Sequence, residues 1–202
     1  MNSALIYGHS QAEPTGMGDD MLKALKAKGV KVTRVGRHGY NDAKLLSNTD
    51  ELGDVSGYDH VFLYAGGNSD KPTPKDLRKL VQYFGGDRST VVLSPVNLGG
   101  EGARAPEVRR PVNAGNRAGV EDIVKVYEVE APASSFKRDG IHLKSGSPES
   151  KALVESILTD LSESKPSASS APPDGSSSPQ AGSPALLWVL ALVALVVVLR
   201  RR

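Results

Sequence analysis

Residues 4–10 read ALIYGHS, an apolar run that stops at Gly8 and leaves His9 and Ser10 beyond it. A short apolar run without alternation, closed by glycine, is what a strand buried on both faces of a sheet looks like. The same pattern returns at Val30–Val35 before Gly36, at Val61–Ala65 before Gly66 and Gly67, at Thr90–Leu93 before Ser94 and Pro95, and at Ile123–Val129. These runs are rich in β-branched residues, which favours strand. Helix-like stretches separate them. Met17–Lys28 places Met21, Leu22 and Leu25 on one face and ends at Gly29. Thr73–Phe84 opens with a Thr in the capping position, Pro74 at the first helical position and Asp76 at the third. Ser147–Ser162 opens with Ser147 and Pro148 and aligns Leu153, Ile157, Leu158 and Leu161. These are helix-start signals. Strand–helix alternation through five strands predicts an α/β domain, a mainly parallel five-stranded sheet with helices on both faces. In such sheets functional residues gather beyond the carboxyl ends of the strands.

The hydrophobic fraction is 39%, enough for one core of ordinary size in 202 residues. Three of the positive charges are Arg200, Arg201 and Arg202, and Asp174 is the one charge in 166–199, so residues 1–165 are formally neutral. A neutral body argues against nucleic acid as partner, since that binding rests on many Lys and Arg contacts to phosphate. Aromatic residues are 5%, thin for base stacking. No cysteine is present, which excludes thiolate metal sites, cysteine nucleophiles and a disulfide framework. Neither a G-x-x-x-x-G-K-[ST] loop nor a G-x-G-x-x-G after a strand occurs.

Composition divides the chain into a folded domain, 1–163, a Ser/Pro/Ala/Gly linker, 164–184, an uncharged apolar stretch, 185–199, and a basic tail, 200–202. The linker has nothing to bury against its ordering entropy and is expected to be disordered. The stretch ALLWVLALVALVVVL is expected to form a single transmembrane helix. Extended back to Ala181 it reaches roughly 28 Å at about 1.5 Å per residue, close to a ~30 Å bilayer core. Trp188 and the arginine triplet are suited to anchor its ends. The N-terminal MNSALIYGHS has no basic region and no long apolar stretch, so a secretion signal is not expected. The side of the membrane that would carry the domain stays open.

Beyond the strands stand Gly8-His9-Ser10, Gly36-Arg37-His38-Gly39, Gly66-Gly67-Asn68 and, before the last helix, Asp139-Gly140-Ile141-His142-Leu143. Acyl transfer needs this combination. A serine hydroxyl is a weak nucleophile until a base takes its proton. His142 can be that base, and Asp139 can hold its tautomer. The backbone N–H of Ser10, the N–H of a glycine and the side-chain amide of Asn68 can receive the oxyanion. No third ligand accompanies Asp139 and His142, so neither a metal nor another cofactor is expected. His9, His38 and His60 read as structural or exposed, and Asn97-Leu98-Gly99-Gly100 as pocket wall.

The ordered blocks LIYGHSQ, AGGNSD and DGIHL resemble the SGNH (GDSL-like) hydrolase family over about the first 160 residues. The resemblance implies a flavodoxin-like three-layer α/β/α sandwich and four conserved blocks. It implies Ser10 as nucleophile, Asn68 and Gly39 (with Gly36 as fallback) beside the Ser10 N–H as oxyanion donors, and Asp139 with His142 as the supporting pair. It also implies hydrolysis of a small acyl ester, such as acetyl on a carbohydrate, without a metal. The family usually reads Gly-Asp-Ser at the nucleophile. His9 replaces that aspartate, which usually supports the site rather than reacting. The alternative expectation is a catalytically inactive SGNH-like module for binding or assembly at a membrane.

Overall fold

The computed structural model describes residues 1–163, apart from the side chain of Ala103. The expected linker, transmembrane helix and basic tail lie outside the described residues. Among the described residues no helix is long and apolar enough to cross a membrane.

The strands of the main sheet are β1 (Ser3–His9), β2 (Lys31–Arg37), β3 (His60–Ala65), β4 (Ser89–Leu93) and β6 (Lys125–Tyr127), in the order β2-β1-β3-β4-β6, all parallel. A two-stranded parallel ladder joins β5 (Val96–Asn97) to β7 (Glu130–Ala131). The helices are α1 (Met17–Ala27), α2 (Asp42–Ser47), α3 (Pro74–Phe84), α4 (Pro106–Ala118) and α5 (Pro148–Glu163). Strands β1, β3 and β4 are buried almost throughout, as their unbroken apolar runs require. Edge strand β2 is only part-buried and carries Lys31, Thr33, Arg34 and Arg37.

The two-residue period of β1 divides the core. Ala4 and Ile6 join Met17, Met21 and Leu25 of α1 and Leu153, Val154 and Ile157 of α5 on one face. Leu5 and Tyr7 join Leu45 of α2 and Leu77, Leu80, Val81 and Phe84 of α3 on the other. The chain runs outward from β1 to β2, then returns to pair β3 on the far side of β1. This reversal leaves a crevice at the carboxyl ends of β1 and β3, where ligands bind in open α/β sheets.

Two sequence expectations need correction, and two helix ends hold to within a residue. The fifth strand is Lys125–Tyr127 rather than Ile123–Val129, because the chain then leaves the main sheet: Val129 O accepts from Val96 N, and Glu130–Ala131 pair with β5. Thr73 precedes α3, but its hydroxyl donates to Asp42 Oδ2 at 2.6 Å and does not cap the helix. The first helix ends at Ala27, with Lys28 as its cap and Gly29 at φ 77°, the left-handed turn that glycine permits. The last helix runs Pro148–Glu163, and Ser147 Oγ accepts from Ser150 N at 3.2 Å, the capping bond its sequence promised.

One buried carboxylate ties the two ends of the domain. Asp20 of α1 accepts hydrogen bonds from Ser145 Oγ, Gly146 N and Ser150 Oγ, so the loop after Leu143 and the start of α5 are held on α1. Replacing Asp20 with Ala leaves these donors without their acceptor, which should cost about 2–4 kcal/mol. Urea unfolding of the full chain measures it. A loss below about 0.5 kcal/mol, the size of an ordinary surface change, would rule out Asp20 as the tether.

Candidate active site

Ser10 begins a 3-10 turn, Ser10–Ala12, at the end of β1. His9 caps that turn: its Nδ1 accepts from Gln11 N at 3.3 Å. An Nδ1 that accepts leaves the hydrogen on Nε2, which faces Ala65 O at 3.2 Å and Ser94 Oγ at 3.2 Å. The ring is buried, and burial pushes its pKa down to about 4 against the smaller pull of the Ala65 carbonyl. His9 is therefore neutral at physiological pH. It lies directly over Gly67, where an added Cβ would stand 2.6 Å from Nε2.

His142 reaches across from the loop before α5. Its Nε2 is 2.6 Å from Ser10 Oγ and its Nδ1 2.7 Å from Asp139 Oδ2. The other carboxylate oxygen of Asp139 accepts from Ile141 N at 2.8 Å and His142 N at 3.0 Å. This tight turn needs Gly140 at φ 66°. Burial works to raise the Asp139 pKa, but the two N–H groups and the imidazole outweigh it and hold the carboxyl at about 2. An ionised carboxylate can only accept, so Nδ1 carries the imidazole hydrogen and Nε2 turns its lone pair to the Ser10 hydroxyl. Gln11 Nε2 donates to Ile141 O at 2.9 Å and so joins the Ser10 turn to the His142 loop.

Asn68 follows β3 with φ 55°, a left-handed conformation uncommon outside glycine. Its amide donates to Tyr40 O at 2.8 Å. The loop before it is pinned by buried Asp42, whose Oδ1 accepts from Gly66 N at 2.9 Å. Burial raises the Asp42 pKa, opposed by its bonds from Thr73 and Gly66.

A pocket of about 600 Å³ opens beside Ser10, lined in part by His9, Gln11, Asn41, Asn68, Ser94 and Asn97. The structure thus brings together Ser10, Asn68 and the Asp139–His142 pair. Gly39 is not among the lining residues. It sits in a turn in which Tyr40 N bonds Arg37 O, and Asn41 lines the pocket instead. Gly36, the fallback, is not among the lining residues either. His38 is exposed, with its ring 6.3 Å from that of His142. Sequence reading missed Asn41, Ser94, Arg104 and Arg109. Ser94 directly follows a predicted strand, which was signal enough; the arginines belong to the segment around α4.

No protein-family profile matches this chain, and no curated protein matches it in sequence. Solved structures do match its shape. A lipase/acylhydrolase from Enterococcus faecalis aligns at TM-score 0.57 with 16% identity, over 81% of this chain and 96% of that one. A GDSL-like lipase from Bacteroides thetaiotaomicron aligns at 0.54 with 14% identity, over 80% and 88%. A catalytic mutant of an acetylxylan esterase from Geobacillus stearothermophilus aligns at 0.60 with 13% identity, over 79% and 94%. The chain has the fold of the SGNH hydrolases.

His9 also gives a pH signature. Its folded pKa near 4 lies below the ordinary 6.5. As pH falls the unfolded state takes up the proton first, so the contribution is intact above pH 6.5 and lost progressively towards pH 4. At ~1.4 kcal/mol per unit the full effect is roughly 3 kcal/mol. The full chain should therefore lose thermal stability between pH 6.5 and 4. His9→Asn, which keeps an acceptor for Gln11 N but does not titrate, should flatten that slope. His60, which burial also pushes down to about 4, contributes in the same direction. An unchanged slope in the variant would sink the assignment.

Proposed function

We propose that this chain is a serine ester hydrolase, and the observation that carries the proposal is the unbroken contact from Ser10 through His142 to Asp139 at the mouth of the pocket. His142 Nε2 takes the hydroxyl proton as Ser10 Oγ attacks the ester carbonyl. The resulting imidazolium is stabilised by the ionised Asp139. Negative charge on the carbonyl oxygen is received by the Ser10 N–H and the Asn68 side chain. His142 then returns the proton to the leaving alcohol, and an acyl-enzyme remains on Ser10. Water, deprotonated by the same imidazole, attacks that ester. The acid leaves and the proton goes back to Ser10.

His9 fits this reading. A side chain before the nucleophile must accept the N–H that shapes its turn, and a neutral imidazole does so as a carboxylate would. The substrate we propose is a small acyl ester on a polar alcohol, with acetyl on a carbohydrate as the leading case. The polar lining by Asn41, Asn68, Ser94 and Asn97 supports it, as does the likeness to an acetylxylan esterase. Neither a metal nor a cofactor enters the reaction as written. We further propose that residues 185–199 anchor the chain in a membrane.

Ser10→Ala should lower kcat on short-chain p-nitrophenyl esters by about 10³-fold or more. A fluorophosphonate probe should label Ser10 in the native chain alone. A folded chain that neither hydrolyses nor labels would favour the inactive binding module. For the anchor, the full chain should float with phosphatidylcholine vesicles in a density gradient, and a form lacking 185–202 should not. Equal partitioning of the two would remove it.

A further inference from the structure

Around the edge of this domain, arginines within reach of a carboxylate are paired with it. Arg34 bonds Asp19 at 3.0 Å, Arg37 bonds Glu51 at 2.6 Å, Arg78 bonds Asp122 at 2.7 Å, and Arg110 bonds Glu130 at 2.6 Å. Two arginines of the pocket have no carboxylate partner among the described residues. Arg104 lines the pocket and is exposed, and among the described residues neither a hydrogen bond nor an ion pair engages its guanidinium. Its place is set by the turn that carries the imidazole. A Cβ added to Gly140 would lie 3.6 Å from Arg104 Nη1 and 3.7 Å from Cδ, so this cation rests over the backbone two residues before His142. Asn97 Nδ2 donates to Gly140 O at 3.0 Å and braces the same spot.

Arg109 stands deeper in the pocket wall. Its Nη1 donates to Gly66 O at 3.3 Å and Ser69 O at 3.2 Å. No carboxylate among the described residues lies within ion-pair distance of it. Burial lowers its pKa and the more distant Asp70 opposes the shift, yet a guanidinium stays charged in a protein. Among the described residues lining the pocket Asp70 is the one carboxylate beside the two arginines, and the other carboxylate of the site, Asp139, is occupied by His142. A neutral sugar ester would leave the Arg104 guanidinium without an ionic partner. A planar or tetrahedral oxyanion matches the free fork of Arg104, and a low-dielectric wall strengthens the pairing.

We propose that the ester taken by this pocket carries an anionic group, a carboxylate or a phosphate, held by the Arg104 guanidinium at the rim with the Arg109 charge behind it. The inference rests on the ester-hydrolase reading and narrows its substrate. Arg104 is then a specificity residue, and it discriminates acidic from neutral esters of the same alcohol.

Three acetyl esters of one sugar test it on the full chain: the neutral glycoside, its uronate and its phosphate. The ratio of kcat/KM for an anionic ester to that for the neutral one should exceed about 10 in the native chain and fall at least tenfold in Arg104→Ala, the size of one charge-assisted hydrogen bond. Arg104→Lys should retain part of it. The larger of the two anionic ratios assigns carboxylate or phosphate. Calorimetric binding of the same esters to Ser10→Ala gives a readout that needs no turnover. Hydrolysis without an anionic preference, or a preference that survives in Arg104→Ala, overturns the inference and leaves the hydrolase reading standing. Arg104-dependent binding of the anionic ester by a chain that hydrolyses nothing supports the anion site and removes the hydrolase reading. Neither hydrolysis nor binding ends both.

Discussion

The imidazole of His9 fills the space over Gly67 and accepts the Gln11 N–H, and the placement of Ser10 depends on that contact. It is a junction of three strand ends. Nδ1 shapes the turn after β1, Nε2 faces the last carbonyl of β3 and the hydroxyl of Ser94 after β4, and the ring face covers a glycine of the Asn68 loop. A side chain at Gly67 would push the two loops apart, and a charged ring at His9 would lose the acceptor that caps the turn. The serine is thus fixed by packing and hydrogen bonding before any partner reaches it.

Two histidines in one crevice serve opposite ends, and environment alone separates them. His9 is sealed among backbone and hydroxyl groups, with no carboxylate among the described residues bonded to its ring, so burial keeps it neutral near physiological pH. His142 faces an ionised carboxylate at one nitrogen and a hydroxyl at the other, which is the setting a proton carrier requires. The Asp139 turn contributes twice. Its backbone bonds keep the carboxylate ionised, and the same bonds aim the imidazole.

Much of this was legible in the chain because buried parallel strands announce themselves. ALIYGH, HVFLYA and STVVL are continuous apolar or β-branched runs, and the loops after them held Ser10, Asn68 and Ser94. The DGIHL turn was legible because Asp, Gly and His at that spacing form a unit whose geometry is local. What could not be read depended on contacts remote in sequence. Helix α4 is written PEVRRPVNAGNRA, with two prolines, a glycine and few apolar residues. Its buried face is Val112 with Asn113 and Asn116, which bond Ser94 O and Thr73 N, and one apolar residue gives no periodicity to reveal such a face. Gly39 was assigned to the site by resemblance to the family's glycine block, yet it is not among the residues lining the pocket. The Thr73 hydroxyl was claimed by Asp42, a partner 31 positions away.

The Ser10–His142 hydrogen bond closes a loop of 132 residues, and the Asp20 bonds to Gly146 and Ser150 close loops of similar size. Closure of such loops is late in folding, and during synthesis the earlier strands emerge and pair first. Ser10 and His142 are thus brought together by a contact between the first strand and the loop before the last helix of the domain.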